Sequence, residues 1–156
     1  MTQKTLDRFD HKILKHLQSD GRMSTLVLAD KISLSPTATT ERVKRLKRDG
    51  YIVGYQAVLS PRLLDKNLLS FVEVRLESTS ADIFDRFKKA VADIDAIMEC
   101  HMVAGGFDYL LKIRCADMAA YRFLLSDKIN QLPGVRETNT YAVMEEVKNT
   151  NMLPLS

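Results

Sequence analysis

Apolar residues near the N-terminus recur about every 3.6 positions. Leu6, Phe9, Ile13, Leu14 and Leu17 form one stripe, which predicts an amphipathic helix. Asp7 is placed to cap its start, and Gly21, after Ser19-Asp20, to stop it. Ser24 opens a second, short helix over residues 25–32, whose apolar members are Val27, Leu28, Ala29 and Ile32. Ser35 is another N-cap, followed by Pro36 at the first helical position, where a missing N–H does no harm. That third helix runs to about Arg48 and ends at Asp49-Gly50. Three helices within about 45 residues, with a very short turn between the second and third, have helix-turn-helix spacing.

Beyond Gly50 the pattern changes. Residues 51–59 are rich in β-branched and aromatic side chains and end at Ser60-Pro61, so 51–66 reads as a strand plus linker. Residues 68–77 alternate Val72, Val74 and Leu76 with Glu73, Arg75 and Glu77, a half-buried strand. Residues 81–94 return to helical spacing through Ile83, Phe84, Phe87, Ala90, Val91 and Ile94. Runs 96–104 and 107–115 are strands, and Gly105-Gly106 between them predicts a type I′ hairpin turn, which needs positive φ at both central residues. In that register Cys100 opposes Leu111 and Cys115 opposes Ala96. Asp117 caps a helix through Met118, Tyr121, Leu124, Leu125, Ile129 and Leu132, which Pro133-Gly134 stops; 135–147 is the last strand. The order βαββαβ is the ferredoxin-like arrangement. The class is α+β: a helix-turn-helix domain over 1–50, a strand and linker over 51–66, a ferredoxin-like domain over 67–148, and a polar tail, 149–156, expected to fray.

With 46% hydrophobic and 28% charged residues, the 156-residue chain has the composition of a folded domain. No apolar run approaches the roughly 20 residues of a membrane span, so no membrane partner is expected. The opening residues lack the basic start and apolar stretch of an export signal, and two cysteines suit a reduced cytoplasm. The net charge of +3 is unevenly spread. Residues 1–60 hold 11 Lys/Arg against 6 Asp/Glu, and residues 61–156 hold 12 against 14. A basic first third points to a polyanion partner.

Five cations, Arg42, Lys44, Arg45, Lys47 and Arg48, fall within seven residues of the third helix, interrupted by Val43 and Leu46, which are expected to face the core. The cations then project outward, and in a helix-turn-helix this element enters the major groove of double-stranded DNA. Thr37, Ala38, Thr40, Glu41 and Arg42 are expected at base edges, with Arg42 gripping guanine. Lys44, Arg45 and Arg48 are expected on phosphates, as are the capped helix starts at Ser24, Ser35 and Pro36. No catalytic or metal site is expected. His11 and His16 stand five apart rather than four, His101 is isolated, and no nucleophile–base pair, phosphate loop or dinucleotide fingerprint occurs.

Several stretches resemble the Lrp/AsnC family of feast/famine regulators, most closely its Lrp branch. They are Leu6-Asp7-Arg8-Phe9-Asp10, Leu34-Ser35-Pro36-Thr37, Glu41-Arg42-Val43-Lys44-Arg45-Leu46, Asp49-Gly50-Tyr51-Ile52, Phe107-Asp108-Tyr109-Leu110-Leu111 and Leu132-Pro133-Gly134-Val135. The resemblance spans about residues 6–148 in order. It implies a bacterial or archaeal transcription regulator with a winged-type helix-turn-helix domain and a C-terminal domain of the RAM type. It also implies homodimers that assemble to tetramers or octamers, and a cytoplasmic, nucleoid-associated life. Beyond a small-molecule effector, usually an amino acid, it implies no cofactor. By the same resemblance the effector site is expected at Val103, Ala104, Gly105, Phe107, Asp108 and Tyr109, with Thr138 and Thr140 from a neighbouring subunit. Backbone N–H groups of the glycine turn would hold the carboxylate and Asp108 the ammonium. Two departures stand out. The family often has glycine where this chain has Ser33, which predicts local strain there, and close relatives have an acid where this chain has Gly106. The alternatives are an enzyme like the sirohaem decarboxylases, which share the fold, and an architectural nucleoid protein without effector control.

Overall fold

In the computed structural model, which describes residues 5–155, the chain divides into two units: Met1–Val58 with Lys148–Ser156, and Leu59–Val147. The outermost residues of the expected 1–50 domain and 149–156 tail, 1–4 and 156, lie outside the described residues.

The first unit holds α1 (Arg8–Ser19), α2 (Thr25–Ile32) and α3 (Pro36–Arg48). Each begins where a side chain satisfies its orphan N–H groups. The Asp7 carboxylate accepts from the N–H of Phe9 and Asp10, and the Asp10 carboxylate accepts from that of Asp7. Ser24 Oγ accepts from Val27 and Ser35 Oγ from Ala38. The helices close on Ile13, Leu28, Ile32 and Leu46, with Leu17, Val43, Tyr51 and Ile52 packed around them. Ser33 takes the left-handed conformation, φ 59° and ψ 48°, as the missing glycine predicted.

After α3, 51–59 pairs with no strand among the described residues, and Val53 and Val58 are almost wholly exposed. The predicted strand does not form among the described residues, because a strand needs a neighbour to satisfy its main-chain groups. Tyr55 is nevertheless fixed: a Cβ on Gly21 would stand 2.9 Å from its ring, and Lys47 Nζ lies 4.9 Å from its centroid. The tail is pinned rather than frayed at Leu153. Its N–H donates to Gln18 Oε1 at 2.6 Å, and its carbonyl accepts from Gln18 Nε2 at 3.1 Å.

The second unit runs β1 (Leu68–Leu76), α4 (Ala81–Ala92), β2 (Ile97–Met102), β3 (Tyr109–Cys115), α5 (Met118–Asp127), β4 (Val135–Ala142). The sheet order β2-β3-β1-β4, antiparallel throughout, is the ferredoxin-like one. One face, through Val72, Val74, Tyr109, Leu111 and Ile113, packs with Phe87, Val91, Tyr121 and Ile129. The alternate residues, among them Phe71, Glu73, Arg75 and Lys112, lie on the opposite face and stay partly exposed.

Four details differ from the sequence reading. The helix expected to reach Leu132 ends at Asp127 and continues as a 3-10 turn over Ile129–Gln131. The last strand ends at Ala142 rather than Val147. A bulge between Ile97 and Glu99 keeps Cys100 opposite Leu111 but leaves Ala96 bonded to Arg114, while Cys115 pairs with Leu68. Finally, Gly105 and Gly106 form no type I′ turn, since neither has positive φ. The loop is longer, closed by Val103 N–H to Asp108 O, and it is set by Asp108, whose N–H donates to Val74 O.

Candidate DNA and effector sites

Helix α3 presents its faces unequally. Thr39 and Leu46 are buried and Val43 packs beside them, whereas Thr37, Ala38, Glu41, Lys44, Lys47 and Arg48 are exposed. Two of the predicted DNA contacts turn inward. Arg42 Nη1 lies 2.7 Å from Asp7 Oδ2 and 2.9 Å from Asp10 Oδ1, with its guanidinium 5.4 Å from the Phe9 ring centroid. Arg45 pairs with the same Asp10, which is 1% exposed. The physical reason is the buried carboxylate: Asp10 caps α1 from inside the unit, and its charge there requires cations. Arg42 and Arg45 therefore hold α3 to the start of α1, with 26% and 32% of their side chains still exposed, where full outward projection was expected.

The same contacts explain Asp7. Burial pushes its pKa up, but the Asp10 and Phe9 N–H groups and the Arg42 guanidinium outweigh this and hold it below the usual carboxylate range. The Asp7 hydrogen bond, then Asp10, raises Arg42 against desolvation.

On the outward side, Lys44 Nζ lies 2.9 Å from Glu41, both exposed, and Arg48 Nε 3.0 Å from Asp49. Such exposed pairs are weak and exchange readily for phosphate. Thr40 Oγ1 donates to Pro36 O, and Thr37 and Ala38 are exposed on the first turn. Ser24 and Ser35 accept helix N–H groups, which leaves each hydroxyl proton for an anion at its helix start. Lys47, outside the predicted contact set, shares this exposure but is held over Tyr55.

In the second unit the predicted effector residues split apart. Ala104, Gly105 and Phe107 line the β2–β3 loop with Val103. Asp108 Oδ2 accepts from Leu76 N–H at 2.8 Å, beside the irregularity where β1 shifts register against β4. That carboxylate satisfies a main-chain N–H at the end of the central strand β1. Tyr109 is a core residue, stacked on Phe87 at 4.5 Å and edge-on to Phe84 at 6.0 Å, its hydroxyl buried without a partner. Thr138 and Thr140 pair with Val74 and Val72 and share their helix-covered face. Thr138 Oγ1 donates to Asn130 at 3.2 Å, and Thr140 bonds the Tyr121 hydroxyl. Within one chain each hydroxyl already has one partner, with Thr138 partly buried and Thr140 exposed.

One neighbour of the loop escaped the sequence reading. Arg75 Nη2 stands 4.0 Å from where a Cβ on Gly106 would lie, and its Nε is buried with no partner. Alternation alone puts Arg75 on the polar face of β1. Its proximity to residue 106 follows only from the sheet order, which sets β1 beside β3.

Elsewhere, burial raises the Cys100 and Cys115 thiols, which makes them inert packing groups. His101 is exposed and bonded to Glu99, which Lys112 first and His101 second hold low. No group of three or more potential metal ligands occurs among the described residues. No helix among them is long and apolar enough to cross a membrane.

A capped tri-helical unit with a cationic third helix, joined to a ferredoxin-like domain, defines a DNA-binding regulator with an attached sensory domain. Comparison with known proteins agrees. Residues 6–53 match the winged helix-turn-helix DNA-binding model, and 69–153 match the Lrp/AsnC ligand binding domain. The chain is 53% identical over 150 residues to the leucine-responsive regulatory protein of Escherichia coli, covering 96% of this chain and 92% of that one. A transcriptional regulator of Neisseria meningitidis, solved as its L-Met complex, superposes with a TM-score of 0.93 at 32% identity over 97% of each chain. An AsnC family regulator of Agrobacterium tumefaciens gives 0.92 at 33%, over 96% of this chain and 97% of that one. The chain belongs to the Lrp/AsnC family. It is a DNA-binding transcription regulator and not an enzyme, and the sirohaem-decarboxylase alternative finds no support among these relatives.

Proposed function

We infer that the protein regulates genes of amino-acid metabolism by carrying the exposed face of α3 into the major groove and by sensing a free amino acid in its β-rich domain. The observation that carries this is the sorting of α3: Leu46, Thr39 and the Asp10-bound arginines inward, Lys44, Arg48 and the first-turn residues outward. Thr37, Ala38, Thr40 and Glu41 are assigned to base edges, Lys44 and Arg48 to phosphates. Ser24, Ser35 and Pro36 place the α2 and α3 N-termini against the backbone, where N–H groups and hydroxyls receive phosphate oxygens.

The effector is assigned to the loop at Val103, Ala104, Gly105 and Phe107. The Neisseria relative was solved with L-Met and the Escherichia relative is named for leucine, so these two amino acids are the first candidates. The working form is a homodimer that assembles further, to a tetramer or octamer, because two recognition helices about 34 Å apart match successive major grooves. Its place is the cytoplasm, on the nucleoid, where the DNA is. Fluorescence anisotropy against the promoter of its own gene and against random duplex, across a salt series and with or without L-leucine or L-methionine, tests the reading. Tighter binding to the promoter, modulated by one of the two, is expected. Equal, effector-blind binding to both duplexes would instead indicate an architectural protein.

A further inference from the structure

Arg75, in β1, carries a guanidinium with a single loose ionic partner among the described residues. Its Nη1 lies 3.5 Å from Oε2 of Glu137, directly across in β4. Its Nε is cut off from solvent and makes no hydrogen bond. A buried donor left unpaired is a cost that a suitable acceptor removes.

The β2–β3 loop stands beside this group. A Cβ at Gly106 would meet one atom within 4 Å, Arg75 Nη2 at 4.0 Å, and a Cβ at Gly105 would meet none. No side chain of either residue fills the gap. The loop's own acid, Asp108, is turned to Leu76 N–H and forms no ion pair with Arg75 among the described residues. The loop's main-chain hydrogen bonds lie at its ends, at Val103 and Asp108, and residues 104–107 donate none among the described residues. The outer Nη2 of a planar cation thus faces bare glycine backbone, an arrangement suited to a planar carboxylate.

The geometry points to Arg75 as the residue that takes the carboxylate of the amino-acid effector, with the ligand lying between its guanidinium and the Gly105-Gly106 backbone. This rests on the sensing role inferred above and names its recognition chemistry. Glu137, already beside Arg75, is the acid at hand for the ammonium, while Asp108 is turned to Leu76 N–H through Oδ2. A zwitterion would bridge Arg75 and Glu137, whose separation is loose for a direct ion pair. Glycine at 106 becomes a requirement, because an acidic side chain there would occupy Arg75 from within the chain.

Isothermal titration of the full-length protein tests this, with L-leucine, L-methionine and their carboxamides as probes. The wild type should bind at least one of the amino acids and not its carboxamide. Arg75→Gln and Gly106→Asp should each weaken that binding at least tenfold, with Arg75→Lys intermediate. Gly106→Asp keeps the test decisive if Arg75→Gln folds poorly, since position 106 is exposed and meets only the Arg75 side chain. Wild-type affinity in both variants overturns the proposal, as does equal binding of the carboxamide. Unchanged affinity with an altered assembly mass in Arg75→Gln also overturns it, and would assign the guanidinium to a second copy of the chain. If the wild type binds neither amino acid, the sensing role inferred for these two fails and this assignment falls with it.

Discussion

Arg42 and Lys44 are two residues apart, yet they belong to different parts of the molecule. The sequence holds a clue to the difference: Thr39, Val43 and Leu46 make the inward stripe of α3, and Arg42 and Arg45 flank it while Lys44 lies opposite. What the chain does not reveal is that Asp10, 32 residues away, is buried and needs both guanidiniums. Arg42→Ala should therefore cost about 2 kcal/mol of stability, seen as a lower melting temperature, because a buried carboxylate loses one of its cations. Lys44→Ala should leave melting unchanged and lower the slope of log affinity against log salt by about one, uniformly across DNA sequences. The reverse pattern would put Arg42 on the DNA. Asp7 adds a pH dependence. Its folded pKa lies below the free value near 4, so its contribution is complete above that value and is lost as pH falls through the lowered one. Asp7→Asn retains a capping acceptor and loses the charge, so its melting temperature should drop less than the wild type's between pH 7 and pH 3. At position 33, where a serine holds φ 59°, Ser33→Gly should stabilise by about 1 kcal/mol in a chemical melt.

Element boundaries divide into those set by neighbours in sequence and those set by neighbours in space. Helices α1, α2 and α3 begin at Asp7, Ser24 and Ser35 as the sequence indicates, because an N-cap is a bond between residues two or three apart. The βαββαβ order was legible for a similar reason, since period-two and period-3.6 runs are local patterns. The β2–β3 loop was not. Two glycines suit a type I′ turn, but Asp108 bonds Val74 and Leu76, more than thirty residues earlier, and those contacts draw the loop open. The expected strand at 51–59 fails from the opposite cause, an extended pattern with no partner in its own chain. Gly134 shows both kinds of constraint at once. It stops α5's extension with φ +75°, and a Cβ there would stand 2.5 Å from Ile83 Cγ2 on α4. Gly134→Ala should destabilise by about 2–4 kcal/mol, adding a left-handed penalty to overpacking, and the loss should register in a denaturant midpoint. A change under about 0.5 kcal/mol would mean that Ile83 and the turn relax together.

A chain of this size does not ordinarily leave a row of large apolar groups in water, yet Val53, Val58, Leu59, Leu63 and Leu64 are 98%, 98%, 66%, 83% and 53% exposed within one segment. Among the described residues, 53–58 also make no backbone–backbone hydrogen bond, so the segment offers both hydrophobic area and a strand edge. Nothing in its own chain answers either demand among the described residues, and symmetric pairing with a second copy would answer both. The half-open sheet face, with Phe71 and the Glu73-bonded Tyr141, offers a further surface to the same partner. Val58→Asp should then raise the dissociation constant of the assembly at least tenfold, because a carboxylate cannot be buried where a valine was. Light scattering at micromolar concentration should show a smaller particle with unchanged far-UV circular dichroism. DNA affinity should fall with it although no DNA contact has been touched, since joining two recognition helices supplies the effective concentration that one alone lacks. An unaltered mass would show that the segment is solvent-exposed in the working particle, and the pairing would then have to come from the sheet face.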